Sequence, residues 1–232
     1  MTQPDGSPGV HRAVVFDMDG VLVESEHLWE RMWARFAAAR GCGWTAAETA
    51  QVQGMSAPEW AAFLAAHTGG PEPVAEVERM VVDDMIAALD AGEVAMLPGA
   101  ERMVLEVSAR APIALASSAP RRVIDAVLDR HALVEHFSAT VSSAEVPRGK
   151  PGPDVYLAAA RGLAVDPVAC LAVEDSSNGL RAAAAAGMTV LAIPSPDYPP
   201  AADALAAASF VASDLDEVRV RLLESLTTPV AG

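Results

Sequence analysis

The sequence predicts an α/β fold, with a parallel sheet core flanked by helices and an all-helical block inserted after the first strand. Three observations predict it. Short apolar runs alternate with helix-period segments along most of the chain, the pattern of strand–helix–strand units in a sheet covered on both faces. From His27 to Ala91 the alternation stops, and the pattern is helical between Gly and Pro boundaries. Polar clusters close the apolar runs: Asp17 and Asp19, Ser117 and Ser118, Glu174 and Asp175.

Each element can be justified in order. "MTQPDGSPGV" is polar, rich in Pro and Gly, and reads as a disordered leader with no signal-peptide character. "RAVVFDMDG" is a β-branched apolar run ending in acids and glycine, so a buried strand leading into a functional turn. "HLWERMWARFAAAR", "SAPEWAAFLAAH" and "PVAEVERMVVDDMIAALDA" carry apolar residues at helical spacing and form the inserted block. After "LPGA" the alternation returns. A helix leads to the strand "PIALASS", then the helix "APRRVIDAVLDRHA" and the strand "FSATVSS". The loop "PRGKPGPD" opens the helix "PDVYLAAARGLA", followed by the strand "CLAVEDS" and the helix "SNGLRAAAAAG". The strands "TVLAIP" and "SFVAS" close the series. The core is therefore Rossmann-like, made of residues 1–25 and 93–232, with a helical cap over 26–92.

Composition narrows the function. The formal net charge is −15 and the chain is 52% hydrophobic and 20% charged. Such a surface repels nucleic acids and anionic membranes, so neither is an expected partner. No apolar run is long enough to span a bilayer. The 2 cysteines, Cys42 and Cys170, have no metal-type spacing, and free thiols point to a cytoplasmic location. The protein is expected to act as a monomer.

Chemistry enters at the strand ends. In open α/β sheets, ligands bind outside the carboxyl ends of the strands. That edge receives acids from two segments, hydroxyls from a third, and Lys150, the chain's single lysine. Converging carboxylates repel unless a hard cation sits between them, and an oxygen-only donor set suits Mg²⁺. A carboxylate can attack phosphorus to give an aspartyl phosphate. A hydroxyl and an ammonium can hold the remaining phosphoryl oxygens. Each cluster alone also has an ordinary reading as a turn, a strand end or an N-cap.

"FDMDGVLVESE", "LASSAP", "GKPGPDVY" and "VEDSSNG" together resemble, in order, the four motifs of the haloacid dehalogenase superfamily. The placement of the helical insert resembles the beta-phosphoglucomutase branch. "ESEHLW", "LPGA" and "AVDPVACLAVEDSSNG" are similar to its 2-deoxyglucose-6-phosphate and hexitol phosphate phosphatases. The resemblance implies Asp17 as nucleophile and Asp19 as general acid and then base. It implies Ser117, Ser118 and Lys150 at the phosphoryl group. Mg²⁺ would be held by Asp17, the Asp19 carbonyl, Asp175 and Glu174.

It implies a phosphatase for a small phosphorylated metabolite, a sugar or polyol phosphate. A sugar phosphomutase is the alternative, and a non-catalytic phospho-ligand binding protein a third. Asp19 argues against dehalogenase chemistry, and a cap without lysine argues against the imine of phosphonatases. The mutase's hinge histidine and cap arginine fall at Trp29 and Ala57 here. His27 reads as a solvated or half-buried helix-start residue, and Trp29, Trp33, Trp44 and Trp60 as cap core, with Trp60 or Met55 as the alternatives that would face the site.

Overall fold

The computed structural model describes residues 11–226. The polar leader read from the first ten residues lies outside them. In chain order the elements are β1 (Ala13–Phe16), β2 (Val23–Glu24), α1 (Glu26–Ala38), α2 (Ala46–Val52), α3 (Ala57–Thr68) and α4 (Val74–Asp90). Then come β3 (Ala95–Met96), α5 (Ala100–Ser108), β4 (Ile113–Ser117), α6 (Arg121–Arg130), β5 (Phe137–Ser142) and α7 (Asp154–Gly162). The chain continues with β6 (Cys170–Glu174), α8 (Ser177–Ala185), β7 (Thr189–Ala192), α9 (Ala202–Leu205), β8 (Phe210–Val211) and α10 (Leu215–Ser225).

The main sheet has 6 strands in the order β5-β4-β1-β6-β7-β8, with every pairing parallel. Numbered by their place in the chain, these strands run 3-2-1-4-5-6, the doubly wound order whose crevice opens beside the first strand. Asp17 and Asp175 follow directly on the neighbouring strands β1 and β6, and Glu174 is the last residue of β6, so parallel register brings them to one edge.

Alternation along the buried strands sorts side chains into two cores. Val14, Phe16, Ile113, Leu115, Leu171 and Val173 face α5, α6 and α10. Ala13, Val15, Ala114, Ala116, Cys170 and Ala172 face α7 and α8. The second face is lined mostly by small side chains, so its helices approach closely. A Cβ on Gly162 would sit 2.6 Å from Ala139 Cβ.

The inserted block is helical throughout, as its sequence predicts. β2 and β3 pair antiparallel at its base, so the two chain crossings leave side by side. α2 is the element that apolar periodicity does not reveal. Its seven residues are too short for a period to show, and it is marked instead by a Thr45/Glu48 capping box. The short α9 and the C-terminal α10 were likewise not legible as helices. α10 has an Asp214 N-cap, its side chain accepting from Glu217 N–H at 2.8 Å.

Candidate active site

The turn after β1 explains its glycine. The Met18 carbonyl accepts from the N–H groups of Val21, Leu22 and Val23, folding the chain back on itself. Gly20 has φ of 73°, and a Cβ there would overlap the Asp175 carboxylate. Glycine is required both for the backbone angle and for the approach of Asp175. The second close approach is at Gly179, where a Cβ would overlap the Glu174 carboxylate.

Asp17, Glu174, Asp175 and Lys150 are all buried. Lys150 Nζ lies 2.6 Å from Glu174 Oε1 and 3.0 Å from Asp17 Oδ1. It also sits 5.2 Å from the centre of the Tyr156 ring. Asp17, Glu174 and Asp175 each bring one oxygen within 4.8 Å of the others. One ammonium thus faces three carboxylates. Burial pushes Asp17 and Asp175 well above the usual carboxylate range; Glu174 raises both further, and Lys150 only partly offsets this. For Lys150, burial favours the neutral amine, but Asp17 and Glu174 outweigh it and raise its pKa.

This donor set fits a hard cation. Asp175 Oδ1 is buried without a hydrogen-bond partner, a costly state for a carboxylate oxygen that a divalent ion would relieve. Glu174 is different. Its Oε1 accepts from Lys150 and Tyr156, at 2.6 and 2.9 Å. Its Oε2 accepts from the Asp175 and Ser176 N–H groups, both at 2.9 Å, and from Ser176 Oγ at 3.1 Å. Five donors occupy this carboxylate, so Glu174 serves as the anchor of Lys150 and of the turn into α8. Glu174→Ala is therefore expected to lower the thermal midpoint by at least about 5 °C, because it strands the Tyr156 hydroxyl and two N–H donors and leaves Lys150 with Asp17 alone. Differential scanning calorimetry checks this.

Asp19 has its own environment. Ser25 Oγ and Trp29 Nε1 both donate to its Oδ1, the indole at 3.1 Å. Ser117 Oγ lies 3.5 Å from Oδ2. Burial raises the Asp19 pKa, and the Ser25 and Trp29 hydrogen bonds moderate the rise. Two donors on Oδ1 leave Oδ2 as the oxygen able to carry a proton. Ser118 lines the same cavity, and its hydroxyl donates to the Gly54 carbonyl in the inserted block at 2.9 Å, joining the two parts of the chain. Asn178 Nδ2 reaches the Gln53 carbonyl at 3.4 Å, and Arg122 pairs with Asp83 of α4 at 2.9 Å.

The inserted helices roof the acids. Trp29, Trp33, Trp60, Met55 and Glu26 line the cavity above Asp17 and Asp19. The tryptophans read from sequence as plain cap core thus do double duty: Trp29, Trp33 and Trp60 pack together, at 5.9 to 6.1 Å between ring centres, and also wall the site. Trp44 stays away from it, against Phe63 and His67. His27 is exposed. Sequence reasoning did not assign Ser25, Glu26, Gln53 or Tyr156 to the site. The signal available for the first two was their position in "ESE", immediately after the acidic turn. The cavity is about 40 Å³, below the several hundred Å³ of small-molecule pockets.

Residues 11–187 match the family model of haloacid dehalogenase-like hydrolases. The chain belongs to that family. It is 33% identical over 191 residues to hexitol phosphatase B of Escherichia coli, covering 80% of this chain and 84% of that one. It is also 33% identical over 184 residues to the bifunctional riboflavin kinase/FMN phosphatase of Arabidopsis thaliana, covering 78% of this chain and spanning 48% of that longer one. Among solved structures, CbbY from Rhodobacter sphaeroides in complex with phosphate superposes with a TM-score of 0.80 at 29% identity, covering 90% of this chain and 96% of that one. The family and its hydrolase fold are therefore those the four motifs predict, and the neighbouring strand ends deliver those motifs to one edge.

Proposed function

We propose that this protein is a Mg²⁺-dependent phosphatase acting on a sugar or polyol phosphate through an aspartyl phosphate on Asp17. The observation that carries the reading is the pair Asp17 and Asp19, two residues apart at one strand end and given different partners. Asp17 faces the ammonium of Lys150, while Asp19 is held through Oδ1 by Ser25 and Trp29. Such divergence separates a nucleophile from an acid–base group. The relatives named hexitol phosphatase and FMN phosphatase support the same reaction class.

In this mechanism Asp17 attacks phosphorus. Lys150 and Ser117 hold phosphoryl oxygens, and Asp19 gives its Oδ2 proton to the leaving alcohol. Asp19, now ionised, then takes a proton from the water that cleaves the acyl phosphate. Asp17, Asp175 and the Asp19 carbonyl would hold Mg²⁺, which supplies charge neutralisation at the phosphoryl oxygens. Residues 26–92 act as the cap, shedding bulk water on closing and re-opening for product release.

A chelator is expected to stop phosphate release, and Mg²⁺ to restore it. Ca²⁺ should inhibit, because its larger and looser shell lets the attacking carboxylate bind the ion through both oxygens. Asp175→Ala should raise the Mg²⁺ requirement sharply. Full activity in chelator would sink the metal assignment. Hydrolysis and isomerisation are separated by product analysis with beta-glucose 1-phosphate and a bisphosphate primer. Among the described residues lining the cavity, Lys150 is the sole cation, so free phosphate is expected to form faster than glucose 6-phosphate.

A further inference from the structure

One buried polar group beside the acids has no part in the phosphatase chemistry described above: the hydroxyl of Tyr156. Tyr156 lies in the first turn of α7 and is fully buried. Its ring belongs to the core on the small-residue face of the sheet, so the hydroxyl is delivered from a rigid element. It donates to Glu174 Oε1 at 2.9 Å, and Lys150 Nζ donates to the same oxygen at 2.6 Å. The other oxygen of that carboxylate is taken by two N–H groups and the Ser176 hydroxyl. A carboxylate offers about four lone-pair sites, so these donors leave it no room to turn.

The ammonium treats its two carboxylate neighbours differently. It is hydrogen-bonded to Glu174, whereas its contact with Asp17 Oδ1 is an ion pair at 3.0 Å, and that oxygen has no hydrogen-bond partner among the described residues. An oxygen that must bond to phosphorus needs an open lone pair. A direct hydrogen bond from the ammonium would stabilise the carboxylate charge and make that oxygen a poorer nucleophile. With Tyr156 on one lone pair of Glu174 Oε1, the ammonium is confined to the other. The Tyr156 ring, its centre 5.2 Å from Nζ, lies within cation–π reach and restrains the ammonium further.

We propose that Tyr156 is a positioning residue for phosphoryl transfer. Its hydroxyl fixes Glu174 Oε1 and so seats the Lys150 ammonium on Glu174 and beside Asp17 Oδ1, which stays open toward phosphorus. The proposal rests on the phosphatase reading and adds to it a residue that acts only through Glu174 and Lys150. Without the hydroxyl, Oε1 has a lone pair to spare and the ammonium gains room to move onto Asp17. The nucleophile is then hydrogen-bonded and the phosphoryl group loses its aligned cation, a displacement of the kind that costs rate more than binding.

Tyr156→Phe is the test, because it keeps the ring beside the ammonium and removes only the donor. Two readouts apply to the Mg²⁺-loaded full chain. The first is steady-state kinetics with p-nitrophenyl phosphate and a hexitol 6-phosphate. The kcat should fall about tenfold, the scale of one hydrogen bond to a charged group, with KM within about twofold of wild type. A residue that only supported the fold would lower the melting temperature and leave the kcat of the folded protein unchanged. The second readout needs no substrate. Lys150 is the chain's single lysine, so lysine labelled with ¹⁵N at Nζ reports this one ammonium by NMR. Its signal should shift, and exchange faster with water, in Tyr156→Phe. A kcat within about twofold of wild type, a loss confined to KM, or an unmoved ammonium signal each overturns the proposal. Phosphate release by the wild type reports on the phosphatase reading separately. If release is present and the variant's kcat does not move, the role of Tyr156 alone fails; if neither substrate releases phosphate, both fall.

Discussion

Asp17→Asn abolishes phosphate release and leaves no covalent phospho-enzyme: this is the largest effect expected of a single substitution. An amide nitrogen or oxygen cannot replace a carboxylate that must bond to phosphorus. Asp19 cannot substitute, because Ser25 and Trp29 hold its Oδ1 within its own loop. The same substitution should act on stability in the opposite direction. Asp17 is buried beside Glu174 and Asp175 with one ammonium between them, and its carboxyl is raised by burial first and by Glu174 and Asp19 after it. Lys150 retains Glu174 at 2.6 Å when Asp17 is neutral. Without divalent ions the Asn variant should therefore unfold about 2–4 °C above wild type, the shift of roughly 1 kcal/mol in a chain of this size. With Mg²⁺ the order should reverse, since the wild type gains more from binding the ion. Acid-quench trapping of labelled phospho-enzyme tests the first statement and thermal melts with and without Mg²⁺ the second. Turnover near wild type in Asp17→Asn would remove the nucleophile assignment.

Lys150→Arg is expected to lose about a hundredfold or more in turnover, close to the loss in Lys150→Met. The ammonium carries three donors on one atom and meets Glu174 and Asp17 at 2.6 and 3.0 Å. A guanidinium is planar and wider, so it can keep both partners only by displacing one of them. Displacement of reacting groups by about 1 Å costs on the order of a hundredfold. The two variants should differ in stability. From its place in a loop, Lys150 is expected to be dispensable for folding, and the structure corrects that expectation. Its side chain is 1% exposed and is the only cation in contact with Asp17 and Glu174 among the described residues. Removing one partner of a buried ion pair costs about 3–5 kcal/mol, so Lys150→Met should melt about 10 °C lower. The Arg variant keeps the charge and should melt closer to wild type. An Arg variant with more than about a third of wild-type turnover would show that charge alone suffices at this position.

The uneven legibility of the site has a physical cause. Asp17, Asp19, Ser117, Glu174 and Asp175 could be placed at one edge because each closes a strand, and parallel strands end together. Tyr156 could not: it lies on α7, and nothing in "PDVY" indicates that its hydroxyl meets Glu174 at 2.9 Å. Nor could the sequence separate the two serines at the end of β4. One hydroxyl lies beside Asp19 and the other binds Gly54, more than sixty residues away in the chain. Nor does residue type show that Glu174, a candidate metal ligand, also accepts five donors that tie it to Lys150, Tyr156 and the turn into α8.

By itself the sequence determined the strand–helix alternation, the inserted helical block, the family and the acidic edge. These depend on local periodicity, turn chemistry and motif order, all of which are short-range. The tertiary structure alone decided which groups pair inside that edge and which tryptophans wall the cavity. It also decided that Asp17 Oδ1 lies beside Lys150 without a hydrogen-bond partner among the described residues. Those outcomes depend on packing a roof of helices against strand ends distant in the chain. Hydrogen-bond capacity left over after such packing is a property of the assembled surface, and no stretch of residues carries it alone.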